Sequence, residues 1–403
     1  MTSQAASSPQ TLPPPTERFT VLGWVYKNLF SNWYNTLLTF IALGLAYALL
    51  KPFLTWLFEQ ADWEVVQVNF RLLMVGQYPK EEMWRIWLCL HVLAAVVGLS
   101  WGVWVRGHLY LALGLLLVPV LLAFLPSASA TIRLNLLTMD MVALLAYGFG
   151  RLGKNSLRRF AAWSWVAYLL LVILIVRGAA PIAERLPVVP SGLWGGLLLT
   201  ILLTMTGIVL SFPLGILLAL GRRSQLPAIR WVSVGYIEVI RGVPLVTILF
   251  MAATMVPFFL PSGARPDLVL RAVVGITLFS AAYLAENVRG GLQAIPQGQY
   301  EAAYALGLNG FQTMTRIILP QALRIVIPVL LGQFIALFKD TTLVVTIGLL
   351  ELLGIARSVL AQPQYISYQR EIYLFVAVVF WIFCYFMSYI SQRLELALGT
   401  GKR

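Results

Sequence analysis

Few side chains in this sequence have the type and spacing to do chemistry, and most of those stand beside a neighbour of opposite charge. Glu238 and Arg241 are three residues apart, as are Glu286 and Arg289. On a helix that spacing puts both groups on one face, so each pair either neutralises itself or serves as a gate or docking contact. Lys339 and Asp340 are adjacent, with Thr341 next. Opposite charges there could meet the carboxylate and ammonium of a zwitterion, or simply satisfy each other. Asp140 falls in an apolar run, where an ionisable group is costly; a structural partner is its simpler reading. His91 and His108 are isolated, Cys89 and Cys384 sit in apolar runs, and no metal-ligand spacing occurs. The nearest thing to a phosphate loop is Gly399-Thr400-Gly401-Lys402-Arg403, which lacks both a following helix and a hydroxyl after the lysine. No catalytic set emerges. If ATP drives this protein, ATP and Mg bind a partner, and no cofactor is expected in this chain.

The most unusual stretch is residues 286–324, polar and small between apolar runs at 272–285 and 325–338. Its centre reads Gln299-Tyr300-Glu301-Ala302-Ala303-Tyr304-Ala305-Leu306-Gly307. Pro296 suits a helix start and Asn309-Gly310 a helix end, which predicts a short helix over 297–308. Its length is about 18 Å, too short for a bilayer core of about 30 Å. Ala302, Ala303, Ala305 and Gly307 leave its surface without bulk, so another surface can approach the backbone. A second short helix over 311–319 is expected to end at Pro320.

Glu301-Ala302-Ala303, then Gly307, then Ile317 and Leu319-Pro320 match in every spacing the EAA loop of bacterial ABC importer permeases, and the chain resembles that family. In the family this loop is cytoplasmic, and its coupling helix docks in a cleft of the ATP-binding subunit. The resemblance therefore implies an ATPase-coupling role for Gln299, Tyr300, Glu301, Ala302, Ala303, Ala305, Leu306, Gly307 and Pro320. Residues 238–245 (Glu-Val-Ile-Arg-Gly-Val-Pro-Leu), 284–291 and 338–343 (Phe-Lys-Asp-Thr-Thr-Leu) are similar to the polar-amino-acid branch. Asn69, Met74-Val75-Gly76-Gln77-Tyr78-Pro79 and Trp84-Arg85 look like the longer general L-amino-acid permeases, which carry extra N-terminal spans. The partners this implies are an ABC ATP-binding subunit, a second permease subunit of a different chain, and a periplasmic or extracellular amino-acid-binding protein. Glu238, Arg241, Glu286, Arg289, Lys339, Asp340 and Thr341 are the candidates for a translocation path or gate.

The elements that must position these residues are membrane helices. The chain has 403 residues, 60% hydrophobic and 11% charged, against about 25% charged in soluble domains. The net charge of +13 is spread singly or in small groups between apolar runs. Such placement sets membrane orientation, not nucleic-acid binding. The expected fold is all-α, a polytopic helical membrane protein of about ten spans with a C-terminal five-span type I importer core. The first five spans are placed at 36–58, 83–105, 109–125, 136–150 and 160–176, and the second five at 193–220, 242–260, 272–285, 325–338 and 371–390.

Residues 1–17 should be a disordered tail, with no cleaved signal peptide, and 19–35 an interfacial segment. The organisation expected is a tail and interfacial segment (1–35), an accessory membrane region (36–190), the permease core (191–396) and a C-terminal tail (397–403). A Pro-rich hinge near 177–190 divides the halves. Basic residues concentrate in the short loops 151–159 and 221–230, including Lys154, Arg222 and Arg223, which places both termini and the motif loop on the cytoplasmic side; the resemblance implies that the membrane is a bacterial inner membrane. Residues 341–359 are apolar but interrupted by Glu351 and Arg357, and are expected to be a re-entrant or surface helix pair. The competing function is an ion-coupled secondary amino-acid carrier using Asp140 and Glu286.

Overall fold

The structure, a computed structural model, describes residues 20–104, 109–124, 129–153, 156–179, 186–261 and 266–399. The expected tail (1–17), His108, Lys154, Pro181 and the glycine–lysine fragment from residue 400 onward lie outside these. Two compact units are present, divided between Trp63 and Glu64. The first holds α1 (Val21–Leu29) and α2 (Trp33–Thr55), the latter ending in a π turn, Trp56–Gln60. Thr39 Oγ1 donates to the Leu29 carbonyl at 2.8 Å and so ties the two together. α2 buries none of its residues and is predominantly apolar without one apolar face, which suits a membrane span.

The second unit contains α3 (Glu64–Val68), α4 (Phe70–Val75), α5 (Met83–Trp104), α6 (Leu109–Ala123), α7 (Ala130–Leu152) and α8 (Arg158–Arg177). There follow α9 (Gly196–Arg222), α10 (Pro227–Gly242), α11 (Leu245–Met255), α12 (Leu268–Gln293), α13 (Gln297–Ala305), α14 (Gly310–Gln312), α15 (Leu319–Asp340), α16 (Leu352–Leu360) and α17 (Gln369–Leu398). Across the described residues, eight helices are long and apolar enough to cross a membrane, or nine if α10 and α11 form one bent span. That is one or two fewer than the expected ten; the span expected at 109–125 corresponds to α6, which is too short to be counted among them. Its fifteen residues make about 22 Å.

Glycine contacts fix the helix directions. A Cβ on Gly98 would lie 2.2 Å from the Ala143 carbonyl, and one on Gly102 would lie 2.4 Å from that of Tyr147. His91 Nε2 is 2.9 Å from Thr138 Oγ1. Partner numbers rise together, so α5 and α7 run parallel, and α6 must return between them. The same logic holds in the core. Gly207 meets Ile276, Gly215 meets Leu284, and Arg223 Nη1 donates to the Leu292 carbonyl at 3.4 Å. α9 and α12 are thus parallel, and α10–α11 form the return, bent by 109° at Val243-Pro244. Proline lacks the N–H to continue α10 and forces its predecessor into extended backbone. α12 and α15 are antiparallel: Ser280 and Asn287 meet Gln333 while Gly291 packs on Ala322. The motif loop is their hairpin.

The Pro-rich segment near 177–190 does not separate compact units. Tyr78 Oη donates to the Val176 carbonyl at 2.8 Å, and the wholly buried Arg85 donates to Pro187 at 2.9 Å. Burial pushes the Tyr78 phenol up to about 12, so it remains a donor. Tyr78, ahead of α5, and Arg85, in its first turn, thereby pin the connection that follows α8. A second junction lies beside it. A Cβ on Gly76 would stand 2.5 Å from Gly195 Cα, and one on Gly196 would stand 2.2 Å from the Leu73 carbonyl. Gly196 N also donates to Leu350 O at 3.0 Å. Three backbone segments meet there with no room for a side chain.

Residues 341–360 form two short pieces, a 3₁₀ run Thr341–Ile347 and α16, neither long enough to span. Glu351 caps α16 by accepting from the N–H groups of Leu353 and Gly354, both at 2.8 Å. Its side chain is fully buried, and burial holds its carboxyl above the usual range despite those donors.

Candidate functional site

The motif loop begins after Pro296, whose fixed φ starts α13. The helix is shorter than expected, ending at Ala305 instead of 308. Gly307 causes the stop. Its φ of +77° is a left-handed value that glycine adopts without Cβ strain. Leu308 N donates to Ala303 O at 3.1 Å and Gly307 N to Tyr304 O at 2.9 Å, which together satisfy two orphan carbonyls of the last turn. Asn309 then opens the next helix in a reciprocal cap with Gln312.

The second expected helix does not end at Pro320. Helical backbone runs through α14, a π turn at Thr313–Ile318 and straight into α15. The widened turn lies just ahead of Pro320, where a proline would otherwise clash with the carbonyl four residues back.

α13 is held from one side and open on the other. Ala303 is buried, whereas Glu301, Ala302, Ala305 and Gly307 are exposed. Tyr304 is 55% exposed, Leu306 81% and Phe311 76%. Large apolar side chains this open, around small ones, form a surface that another protein can cover. The held side is specific. Arg223 Nη1 donates to Tyr300 Oη at 3.1 Å, and its guanidinium carbon lies 5.8 Å from that ring's centre. Gln321 Nε2 donates to Gln299 Oε1 at 3.1 Å. α13 thus touches the last turn of α9 and the first of α15.

One residue back, Arg222 enters a charge cluster. Its Nη1 lies 2.9 Å from Glu238 Oε1 and 3.5 Å from Glu286 Oε2. Arg241 Nη1 is 3.8 Å from Glu286 Oε2, and Arg289 Nε donates to the same carboxylate at 2.9 Å. The Arg241 guanidinium also sits 5.5 Å from the Tyr283 ring centre. Glu286 and Arg289 pair as their spacing predicts. Glu238 and Arg241 do not; each reaches across to another helix, Glu238 to α9 and Arg241 to α12. The neighbouring helices supply those partners, Arg222 at 2.9 Å from Glu238 and Glu286 at 3.8 Å from Arg241. Three arginines and two glutamates from α9, α10 and α12 therefore share one knot.

The remaining candidates lie elsewhere. Lys339 is exposed, Asp340 half-buried, and Thr341 buried with its hydroxyl on the Phe338 carbonyl at 2.7 Å. No ion pair between Lys339 and Asp340 is present among the described residues, since adjacent helical residues do not face each other. They stand at the end of α15 opposite the charge knot. Asp140 lies buried on α7, its Oδ2 without a hydrogen-bond partner. Glu286, held by three arginines, is a fixed counter-ion and not a free proton site. The spacing rules overlooked Arg222 and Arg223; the only available signal was a tandem of arginines closing a long apolar span.

Residues 211–399 match the family described as binding-protein-dependent transport system inner membrane component. Over 394 residues the chain is 39% identical to the inner membrane amino-acid ABC transporter permease protein YhdY of Escherichia coli (strain K12), covering 94% of this chain and 93% of that one. It is 35% identical over 440 residues to the glutamate/glutamine/aspartate/asparagine transport system permease protein BztC of Rhodobacter capsulatus, covering 97% and 96%. The probable glutamine ABC transporter permease protein GlnP of Bacillus subtilis is 35% identical over 204 residues, only 51% of this chain but 92% of that protein.

Proposed function

Because the chain belongs to the family of binding-protein-dependent transport system inner membrane components, as an amino-acid ABC importer permease, we propose that α13 is the helix through which a separate ATPase drives amino-acid import. The observation that carries this is the asymmetry of α13. One side is anchored by Ala303, Tyr300 and Gln299. The other offers Glu301, Ala302, Tyr304, Leu306 and Gly307 to a partner. A cleft in the ATP-binding subunit closing on that knob would move α9 and α15 without entering the membrane. Binding energy there biases one of two packings of the spans, since a ligand shifts only an equilibrium it distinguishes.

In this reading the motif loop and both termini are cytoplasmic. A binding protein delivers substrate outside, a second and different permease chain completes the pathway, and ATP and Mg are held by the ATPase. The cargo is polar or neutral L-amino acids with broad specificity, supported by similarity to a permease named for the transport of glutamate, glutamine, aspartate and asparagine. Lys339, Asp340 and Thr341, at the far end of α15, belong to the outward mouth. The test is purification from native membranes with identification of the bound subunits, followed by uptake competition across a panel of amino acids. Co-purification of an ATP-binding subunit and inhibition by several L-amino acids are expected. Uptake that survives ATP depletion but collapses with the ion gradient would instead indicate a secondary carrier.

A further inference from the structure

The C-terminal end of α9 presents two consecutive arginines with different clients, Arg222 as its last residue and Arg223 as its cap. Successive helical residues point about 100° apart, so one turn can serve two directions at once. Arg223 turns to α13, stacking over Tyr300 and donating to its hydroxyl at 3.1 Å, with a second donation to Leu292 O at 3.4 Å. Arg222 turns to Glu238 at 2.9 Å and Glu286 at 3.5 Å. We propose that the tandem Arg222-Arg223 is the mechanical relay of this permease: Arg223 senses the position of α13, and Arg222 transmits it to the knot that joins α9, α10 and α12. The inference rests on the reading of α13 as the ATPase-coupled helix.

Three features make a relay of this turn and not two unrelated surface contacts. The body behind it is stiff: Gly207 and Gly215 let α9 lie against α12 in fixed parallel register, a Cβ at either being 2.8 Å or less from Ile276 or Leu284. The turn also ends α9, since Arg223 N bonds back to Leu220 O at 3.1 Å, so both guanidiniums move with the helix end. Finally, the knot is over-determined at Glu286 of α12, which meets three arginines, whereas α9 and α10 are joined in it by one ion pair, Arg222–Glu238. Within the knot, Glu238 is tied by Arg222 alone among the described ion pairs. A displacement of α9 relative to α13 therefore changes the Arg222–Glu238 bond first, and with it the half of the bent α10–α11 pair nearest the motif loop. Arg222 and Arg223 are positioning residues; neither is assigned contact with cargo or nucleotide.

The test uses the full transporter complex, purified with its ATPase and reconstituted with its binding protein, and measures amino acid imported per ATP hydrolysed. Tyr300→Phe deletes one acceptor oxygen while keeping the ring, and Arg223→Ala deletes the donor. Each should keep the ATPase bound and hydrolysing but lower import per ATP, by roughly tenfold for Arg223→Ala, the size expected for a charge-assisted hydrogen bond. Arg222→Ala should do likewise, and the Arg222→Ala/Arg223→Ala double variant should lose no more than the worse single, because two links of one chain are not additive. Wild-type import per ATP in Tyr300→Phe, or additive losses in the double variant, overturns the relay while leaving the coupling role of α13 intact. If the wild-type complex contains no ATPase, the coupling reading itself fails. If Arg223→Ala does not accumulate in the membrane, the Tyr300→Phe result decides.

Discussion

Arg222 and Glu238, on helices α9 and α10, meet at 2.9 Å, although each has a charged neighbour closer in sequence. This bond turns a set of paired charges into a joint between helices. Solvent reaches about a quarter of the arginine and half of the glutamate, so its strength is that of a partly exposed pair. Exchanging the charges, with Arg222→Glu and Glu238→Arg together, should recover part of the activity that either single change removes. Uptake assays on the three variants check this. Equal loss in the exchanged and single variants would mean that the pair makes no joint.

Glu286 is the centre of the knot. Glu286→Gln leaves Arg222, Arg241 and Arg289 facing one another without their shared counter-charge. The expected cost is about 1–3 kcal/mol, less than for fully buried pairs because these side chains keep a fifth to a third of their exposure. Thermal unfolding in detergent at two salt concentrations measures it. The gap between wild type and variant should narrow at high salt, where exposed charges are screened.

The glycine junction beside α9 sets a larger penalty. Gly196→Ala introduces a Cβ 2.2 Å from the Leu73 carbonyl at a φ of +58°. The expected loss is roughly 2–5 kcal/mol, combining left-handed strain of about 1–2 with overpacking of about 1–3. Gly307→Ala has open space around it and pays only the backbone strain, about 1–2 kcal/mol. Comparing the melting temperatures of the two variants tests this ordering.

Glu351 gives a pH dependence. Burial raises its carboxyl in the folded protein, so the unfolded chain releases that proton first. Its contribution to stability is greatest below the ordinary carboxylate range and is lost as pH rises through the raised folded value. Glu351→Gln keeps an acceptor for the α16 cap and removes the titration. Wild type should lose stability relative to Glu351→Gln as pH climbs through that window; parallel curves would show that Glu351 does not titrate there.

Span positions and the motif loop were legible because apolar length and small-residue spacing are local properties. The α-helical stop at Gly307 is half legible: the sequence shows the glycine but offers Asn309-Gly310 as the helix end, and only backbone geometry shows Asn309 opening the next helix. Pro320 misled for a similar reason, since a π turn upstream absorbs the proline without ending the helix. The partners of Glu238 and Arg241 were illegible because spacing within one helix says nothing of what a neighbouring helix brings. In the sequence Arg222 and Arg223 are only charges that orient a loop. Their two clients, 16 and 77 residues away, appear only once α9 is laid beside α10 and α13.

The exposed face of α13 can be examined directly by placing p-benzoylphenylalanine at position 302, in place of the exposed Ala302, and irradiating native membranes. A covalent adduct between this chain and an ATP-binding subunit, identified by mass spectrometry, is the expected result. No such adduct, together with labelling of a cysteine at the same position by an impermeant reagent added from outside, would contradict it.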